Sequence, residues 1–306
     1  MADGPLPDRL RETLESHVQL FPWNARPGAD YAEVEGVFSY GHLTVDDCML
    51  DTLPNVRIVS NHGVGVDHID VAACQRRGVL VGNTPSVLDD TVADTAFTVL
   101  LAAARRVPES LRVAADPHTT EFDQTKLHGQ DVHHATLGIL GLGRIGQRIA
   151  QRAQGFEMSV LYHQRRRNIA AESQLDAKYV DFDQLLAEAD FLVLTVPLTD
   201  KTRGLIGSEQ FARMKPSAVL VNVARGPVVA TDALVDALRN NQLWAAALDV
   251  TDPEPLPRDH PLLKMDNVVV TSHIGSASIQ TRQKMVDLAV ENLFNGLAGK
   301  DVLFQP

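Results

Sequence analysis

Cysteine is scarce: Cys48 and Cys74 are the only two in 306 residues, and they show no Cys-x-x-Cys or other ligand spacing. That excludes a disulfide scaffold and a cysteine-based metal site, and it predicts two reduced thiols. Long apolar runs are lacking too, and no stretch approaches the roughly 18 residues of a membrane-spanning helix. The opening Met-Ala-Asp-Gly-Pro-Leu-Pro has neither the charged nor the apolar region of a secretory leader, so a cytoplasmic location is expected. Positive charge is in deficit, 28 Lys and Arg against 39 Asp and Glu for a net charge of -11. This argues against general nucleic-acid binding and against a basic membrane-surface role. An anionic small molecule stays open, because a local arginine cluster overrides the global field.

What is present fits a soluble globular protein: 44% hydrophobic and 22% charged residues, with a length sufficient for about two domains. Short β-branched runs alternate with longer amphipathic segments, which predicts an α/β protein with mostly parallel sheets. A helix is expected over residues 7–16, with strands over 18–21, 36–40, 56–60 and 79–82. A long apolar helix runs from Asp89 or Asp90 into Pro108. Residues from about 112 to 135 are polar, His-rich and without periodicity. A second rhythm follows, with strands over 137–140, 159–162, 191–196, 218–223, 246–250 and 268–271 and a last helix over 279–297.

Thr136-Leu-Gly-Ile-Leu140 leads directly into Gly141-Leu-Gly143-Arg144-Ile145-Gly146, and the chain continues as a helix. Gly141 permits a tight turn, Gly143 lets backbone approach a pyrophosphate, and Gly146 allows close helix–strand packing. The helix N-terminus adds free N–H groups and a favourable dipole for phosphates. Strand before and helix after make this a dinucleotide site. An NAD enzyme usually carries an acidic residue about 20 positions on, for the ribose 2′-hydroxyl. Here the next strand ends Tyr162-His-Gln164-Arg165-Arg166-Arg167, with no carboxylate. A guanidinium pairs with a 2′-phosphate that a carboxylate would repel, so Arg165 and Arg166 favour NADPH over NADH. Arg167 is read as part of a solvated loop.

Arg225, Glu254 and His273 each follow a predicted strand, and in an open parallel sheet ligands bind beyond the strands' carboxyl ends. A guanidinium can hold both the carboxylate and the carbonyl of a 2-keto acid. A histidine can deliver the proton that the carbonyl oxygen needs once hydride reaches the carbon. A carboxylate beside it orients the ring and favours the imidazolium. Spacing alone leaves structural roles open for all three residues.

The chain resembles the D-isomer-specific 2-hydroxyacid dehydrogenases, and within them the glyoxylate/hydroxypyruvate reductases and related 2-ketogluconate and hydroxyphenylpyruvate reductases. The likeness runs from about Pro5 to Lys300. It rests on Gly63-Val64-Gly65-Val-Asp67, Asn83-Thr-Pro-Ser-Val-Leu88, Gly141 to Gly146, Val196-Pro197, Asn222-Val223-Ala-Arg225-Gly226 and Ser272-His273-Ile-Gly275-Ser276. The resemblance implies two Rossmann-like or flavodoxin-like parallel-sheet domains with a cleft between them. The substrate domain would be discontinuous, 1–87 plus 279–306, around a cofactor domain over 88–278. It makes Arg225 the substrate-orienting arginine, Glu254 the partner of the histidine and His273 the general acid. Val64 and Gly65 would bind the substrate carboxylate, and Asp249 the nicotinamide carboxamide. The cofactor set implied is Gly141, Gly143, Arg144, Ile145, Gly146, Gln164, Arg165, Arg166, Val196, Pro197, Thr202, Val223, Asp249 and Gly275, with no metal. It also implies a homodimer through the long helix and the following arm.

Two departures stand out. The small domain's first strand has no counterpart ahead of Pro5, so either the start is shortened relative to a working protein or another segment fills the gap. His133-His134-Ala135 replaces a Gly-Lys common in the family and reads as loop variation. Two rival readings keep the same residues: a dinucleotide-sensing corepressor and an inactive, truncated paralogue. His62, beside the carboxylate loop, reads equally as a pocket wall or as a solvent-facing residue.

Overall fold

The computed structural model describes residues 1–21, 31–121 and 123–306. They form two compact units, Met1–Leu88 with Ser278–Pro306, and Asp89–Ala277.

The first unit carries helices α1 (Asp8–Glu15), α2 (Asp47–Asp51) and α3 (Val71–Arg76) and strands β1 (Gly36–Ser39), β2 (Ile58–Asn61) and β3 (Leu80–Gly82). The strands are parallel in the order β1-β2-β3, with Val37 opposite Val59 and Val59 opposite Val81. Every residue of β1 and β2 is buried, as expected where both faces of a parallel sheet are covered. Asp46 and Asp70 cap α2 and α3 by accepting from Met49 N and Ala73 N. The closing helix, Ile279–Leu297, begins at a Ser278 cap and lies across the strands. Its Gly296 passes so near β2 that an added Cβ would sit 2.6 Å from Ile58 Cβ.

Backbone beside β1 is supplied by Met1–Asp3. Phe38 N donates to Met1 O (2.8 Å), Asp3 N donates to Phe38 O (3.3 Å), and Ala2 forms a parallel bridge with Phe38. The strand expected over 18–21 is not formed. Val18 N is drawn into the turn closing α1, donating to Leu14 O (2.9 Å), and Phe21 only offers its carbonyl to Ala2 N (3.1 Å). The strand expected from Val56 starts at Ile58, because Val56 N is spent on a turn to Leu53 O.

The second unit holds α4 (Asp89–Ala104), α5 (Val107–Ala115), β4 (Thr136–Leu140), α6 (Arg144–Ala153), β5 (Ser159–His163), α7 (Ile169–Leu175), β6 (Ala177–Tyr179), α8 (Phe182–Glu188), β7 (Phe191–Leu194), α9 (Ser208–Phe211), β8 (Val219–Asn222), α10 (Thr231–Arg239), β9 (Ala245–Leu248) and β10 (Val268–Val270). The closing helix of the first unit is α11. Seven parallel strands run β10-β9-β8-β7-β4-β5-β6, the doubly wound order whose direction reverses between β4 and β7. Side chains alternate between two cores. Leu137, Ile139, Phe191, Val193, Val219 and Val221 face one, while Leu140, Leu192, Leu194 and Leu220 face the other. That two-sided burial explains the unbroken apolar runs in the sequence.

Two features were hidden in the sequence. Pro108 does not end the helical region: Arg106 turns left-handed (φ 52°), and Pro108 then sits in the first turn of α5, where its missing N–H costs nothing. The segment read as irregular from 112 therefore begins with a helix to Ala115. Strand β6 escaped notice because it is a three-residue edge strand with an exposed Lys178.

Candidate active site

The glycine-rich turn follows β4 at the point where strand order reverses. Gly141 has φ 103°, and a Cβ there would lie 3.2 Å from Val196 N. At Gly146 a Cβ would lie 2.2 Å from Gly141 O, so helix and turn touch backbone to backbone. Gly143 differs: nothing lies within 4 Å of its Cβ position. The protein itself does not require glycine there, but a pyrophosphate drawn against backbone does. Gly143 also caps α6 without a side-chain bond, leaving the first-turn N–H groups of Arg144, Ile145 and Gly146 for an anion. The turn thus fits a dinucleotide. Arg144 stands at its mouth, with Nε 3.4 Å from the buried Asp89 carboxylate. Burial pushes the Asp89 carboxyl up, against the pull of Arg144 and Arg148. Ile145 and Val223 pack against the core.

The loop after β5 is built around two commitments. Gln164 Oε1 accepts from Leu142 N (2.9 Å) while its Nε2 donates to Arg166 O (2.6 Å), tying the fingerprint turn to the arginine loop. Arg167 is exposed in the loop, as expected, and is also paired: Glu172 accepts from its Nε (2.8 Å) and Nη2 (2.7 Å) and from the Tyr162 hydroxyl (2.6 Å). The hydrogen bonds from Arg167 and then Tyr162 bring the Glu172 carboxyl down to about 2. Arg165 and Arg166 remain exposed, without an ion pair among the described residues. After β7, the Thr202 hydroxyl is used inside its own loop, donating to Pro197 O (2.7 Å) and accepting from Thr199 N (2.8 Å). Val196 is half-buried and Pro197 is exposed.

Arg225, Glu254 and His273 leave the carboxyl ends of β8, β9 and β10, and the structure joins the last two. His273 Nδ1 lies 2.6 Å from Glu254 Oε1, and Glu254 Oε2 accepts from Thr251 N (3.0 Å). Burial opposes ionisation of Glu254. The hydrogen bonds from His273 and Thr251 outweigh it, aided by the charges of His273 and Arg225, and hold the carboxyl below its usual range. The contact commits Nδ1 of the ring to the carboxylate. His273 itself has a left-handed backbone (φ 54°). Asp249, 2% exposed, holds that conformation: its carboxylate accepts from the Thr271 hydroxyl (2.6 Å), Ile274 N (2.8 Å) and Gly275 N (2.8 Å). A Cβ on Gly275 would lie 2.9 Å from that carboxylate. Arg225 is set by Asn222, whose side chain donates to Arg225 O (2.9 Å) and accepts from Ala224 N (3.0 Å). Gly226 lets the Arg225 loop touch the loop that carries Glu254, since a Cβ there would fall 1.9 Å from Thr251 O.

In the first unit, Val64 and Gly65 occupy the loop after β2. Asn61 Nδ2 donates to Gly63 O and Gly65 O, and Asn83 Nδ2 to Val64 O, each at 3.0 Å. His62 is 3% exposed, which rules out the solvent-facing reading. Asn222, Thr251, Glu172, Asn61 and Asn83 were not singled out from sequence. For Asn222, Thr251, Asn61 and Asn83 the signal is a polar side chain at or just past a strand end, common to every turn, and Glu172 is one acid on helix α7; only the fold shows what each one holds.

A doubly wound domain with an open glycine cradle and a carboxylate-steered histidine defines a dinucleotide-dependent oxidoreductase. The comparisons supply the family. Residues 97–275 match the D-isomer specific 2-hydroxyacid dehydrogenase, NAD binding domain. Glyoxylate/hydroxypyruvate reductase B of Salmonella paratyphi B is 46% identical over 303 residues, covering 96% of this chain and 93% of its own length. Among solved structures, the NADPH-dependent glyoxylate/hydroxypyruvate reductase of Sinorhizobium meliloti, in complex with NADP and malonate, superposes with a TM-score of 0.90 at 32% identity, covering 100% of this chain and 95% of its own. A protein of Thermus thermophilus superposes with a TM-score of 0.89 at 38% identity, over 100% and 99% of the two chains. The chain belongs to the D-isomer-specific 2-hydroxyacid dehydrogenase family and is an oxidoreductase with an NAD-binding domain.

Because Glu254 ionises more readily folded than unfolded, its pairing stabilises the protein above the ordinary carboxylate range and is lost as pH falls through the depressed value. Glu254→Gln should therefore lower the melting temperature by about 1–3 °C near pH 7, with the deficit closing below about pH 4. Melting curves of both proteins across that range check this. A deficit that widens at acid pH would contradict it.

Proposed function

We propose that the protein reduces a small 2-keto acid of the glyoxylate/hydroxypyruvate type to the D-2-hydroxy acid, with NADPH preferred over NADH. The observation that carries the reading is the His273–Glu254 contact of 2.6 Å. It fixes a histidine by one ring nitrogen beyond the carboxyl ends of the strands, in the same unit as the dinucleotide cradle. NADPH supplies the hydride when bound. His273 gives its proton to the carbonyl oxygen as that oxygen becomes an alkoxide, and the Glu254 carboxylate steadies the ring while it carries the charge. Arg225 orients the carboxylate and carbonyl of the substrate and stabilises the developing negative charge. Val64 and Gly65 offer backbone N–H groups to the carboxylate. Asp249, Val196, Pro197, Thr202, Val223 and Gly275 complete the cofactor's surroundings.

Preference for NADPH is supported by the loop after β5. Arg165 and Arg166 are exposed after β5 and would meet a 2′-phosphate, while Glu172, the nearby acid, is engaged by Arg167 and Tyr162. A cytoplasmic location agrees with two unpaired thiols. No helix among the described residues is long and apolar enough to cross a membrane. For assembly we propose a homodimer. Helix α5 buries none of its residues, and Leu111 is 65% exposed with Val107 and Val113 nearby at 40% and 41%. A helix with an apolar stripe in water needs a partner.

In an assay of NADPH oxidation with glyoxylate and hydroxypyruvate, His273→Ala should lower kcat by about 10²–10⁴-fold. Turnover surviving within threefold would remove His273 as the acid. The double variant Arg165→Ala/Arg166→Ala should raise KM for NADPH by about 10–100-fold and leave that for NADH nearly unchanged. Equal effects on both cofactors would refute the 2′-phosphate role. In sedimentation analysis the protein should run as a dimer and Leu111→Glu should shift it towards monomer. A monomer at micromolar concentration would end the dimer proposal.

A further inference from the structure

Buried polar atoms without a partner are rare in folded proteins, because each one forfeits roughly 1–3 kcal/mol of solvation. In the first unit four of them, among the described residues, gather at the carboxyl ends of β2 and β3: Asn61 Oδ1, His62 Nε2, Asn83 Oδ1 and Thr84 Oγ1. The hydrogen-bonding sense of the two asparagines is fixed by their neighbours. Asn61 and Asn83 use their NH₂ groups to hold the carbonyls of Gly63, Val64 and Gly65, so the amide oxygens left over can only accept. Those same bonds pull three successive carbonyls back towards the sheet. The Val64 and Gly65 N–H groups make no bond to the described residues.

His62 is the most constrained member of the group. Its ring lies against Tyr40, with centroids 4.8 Å apart. Burial, with the charges of Arg282 and His42 adding to it, lowers its pKa to about 4, against a smaller opposing effect of the Arg282 backbone. At neutral pH the ring is therefore uncharged, with one nitrogen a donor and the other an acceptor. Nε2 has no partner, so the Arg282 carbonyl must face the other nitrogen and keep the proton there. That leaves Nε2 as a bare lone pair. The group offers three acceptors, and the Thr84 hydroxyl is able to donate or to accept. It suits a neutral hydroxyl, repels a second carboxylate and gains nothing from an apolar tail. Residue 62 stands two peptide units from Val64, at most about 7 Å between Cα atoms. A small acid anchored at the Val64 and Gly65 N–H groups would present its third carbon within that distance.

We propose that His62 is a specificity-determining residue that accepts a hydrogen bond at Nε2 from the hydroxyl of a 3-hydroxy-2-keto acid, and so favours hydroxypyruvate over glyoxylate. This rests on the reductase reading above and on its placement of the substrate carboxylate at Val64 and Gly65. The mechanism does not otherwise use the imidazole, and a structural role for it predicts no difference between the two substrates.

The test is steady-state NADPH oxidation by the full chain and by its His62→Phe and His62→Gln variants, with hydroxypyruvate and glyoxylate side by side. Phenylalanine keeps a ring against Tyr40 and removes the acceptor, while glutamine keeps an amide oxygen at a similar reach. His62→Phe should lose about 10–100-fold in kcat/KM on hydroxypyruvate, with a loss on glyoxylate at least tenfold smaller, and His62→Gln should fall between. Equal losses on both substrates, or an unchanged ratio, would overturn the proposal and leave the ring to packing or to a buried water. Should the unsubstituted protein turn over neither acid, the reductase reading fails first. Melting shifts with NADP and either D-glycerate or glycolate then decide His62 separately. An extra shift with D-glycerate that vanishes in His62→Phe supports the assignment, and identical shifts in both proteins end it.

Discussion

The chemistry of the second unit depends on one buried carboxylate. Asp249 closes β9 at 2% exposure and gathers three donors from residues 271–275, so a charge that would be costly to bury alone is fully bonded. In return it fixes a turn that would not otherwise persist, because His273 occupies a left-handed conformation unfavourable to a side chain of its size. With the turn fixed, His273 Nδ1 meets Glu254, and Glu254 in turn is steadied by Thr251 N. The chain of dependence runs from Asp249 to the turn and then to the ring, and the sheet's parallel order brings its starting points to one edge.

Much of this was legible in the sequence because the relevant signals are local. Gly141, Gly143 and Gly146 announce a turn between strand and helix, and the turn stands there. The strands of the second sheet show as apolar runs because both their faces are covered. The last helix, expected over 279–297, stands over Ile279–Leu297. What escaped was set by side-chain pairing and by single backbone turns, which composition and periodicity do not show. Periodicity does not show that Glu172 will accept from both Arg167 and the Tyr162 hydroxyl, and Pro108 reads as a stop unless Arg106 is known to turn left-handed. The 18–21 segment carries β-branched and apolar residues, yet its first N–H is claimed by the turn after α1. His62 was left undecided by sequence because its surroundings come from Tyr40 at one strand end and Arg282 on a helix far along the chain.

The glycine cradle and the arginine loop are built on different logic. The glycine cradle is shaped by exclusion: backbone atoms lie 2.2 Å and 3.2 Å from where side chains would have to go at Gly146 and Gly141, while Gly143 faces open space. The arginine loop is shaped by pairing, with Glu172 drawn to Arg167 and Tyr162 so that its charge is spent away from Arg165 and Arg166. The first needs particular residues because of volume. The second needs a balance of charge, and a single substitution can upset it.

Gln164 joins these two regions, and that has an evolutionary consequence. Its amide is engaged at both ends, with the oxygen on Leu142 N and the nitrogen on Arg166 O at 2.6 Å. Exchanging it for glutamate would keep the first bond but set a carboxylate oxygen against a carbonyl oxygen at the second. A lineage could not place a carboxylate at this position in one step and keep that second contact. It would have to redraw the path of the Arg165–Arg166 backbone first, so this side chain and the loop are bound to change together.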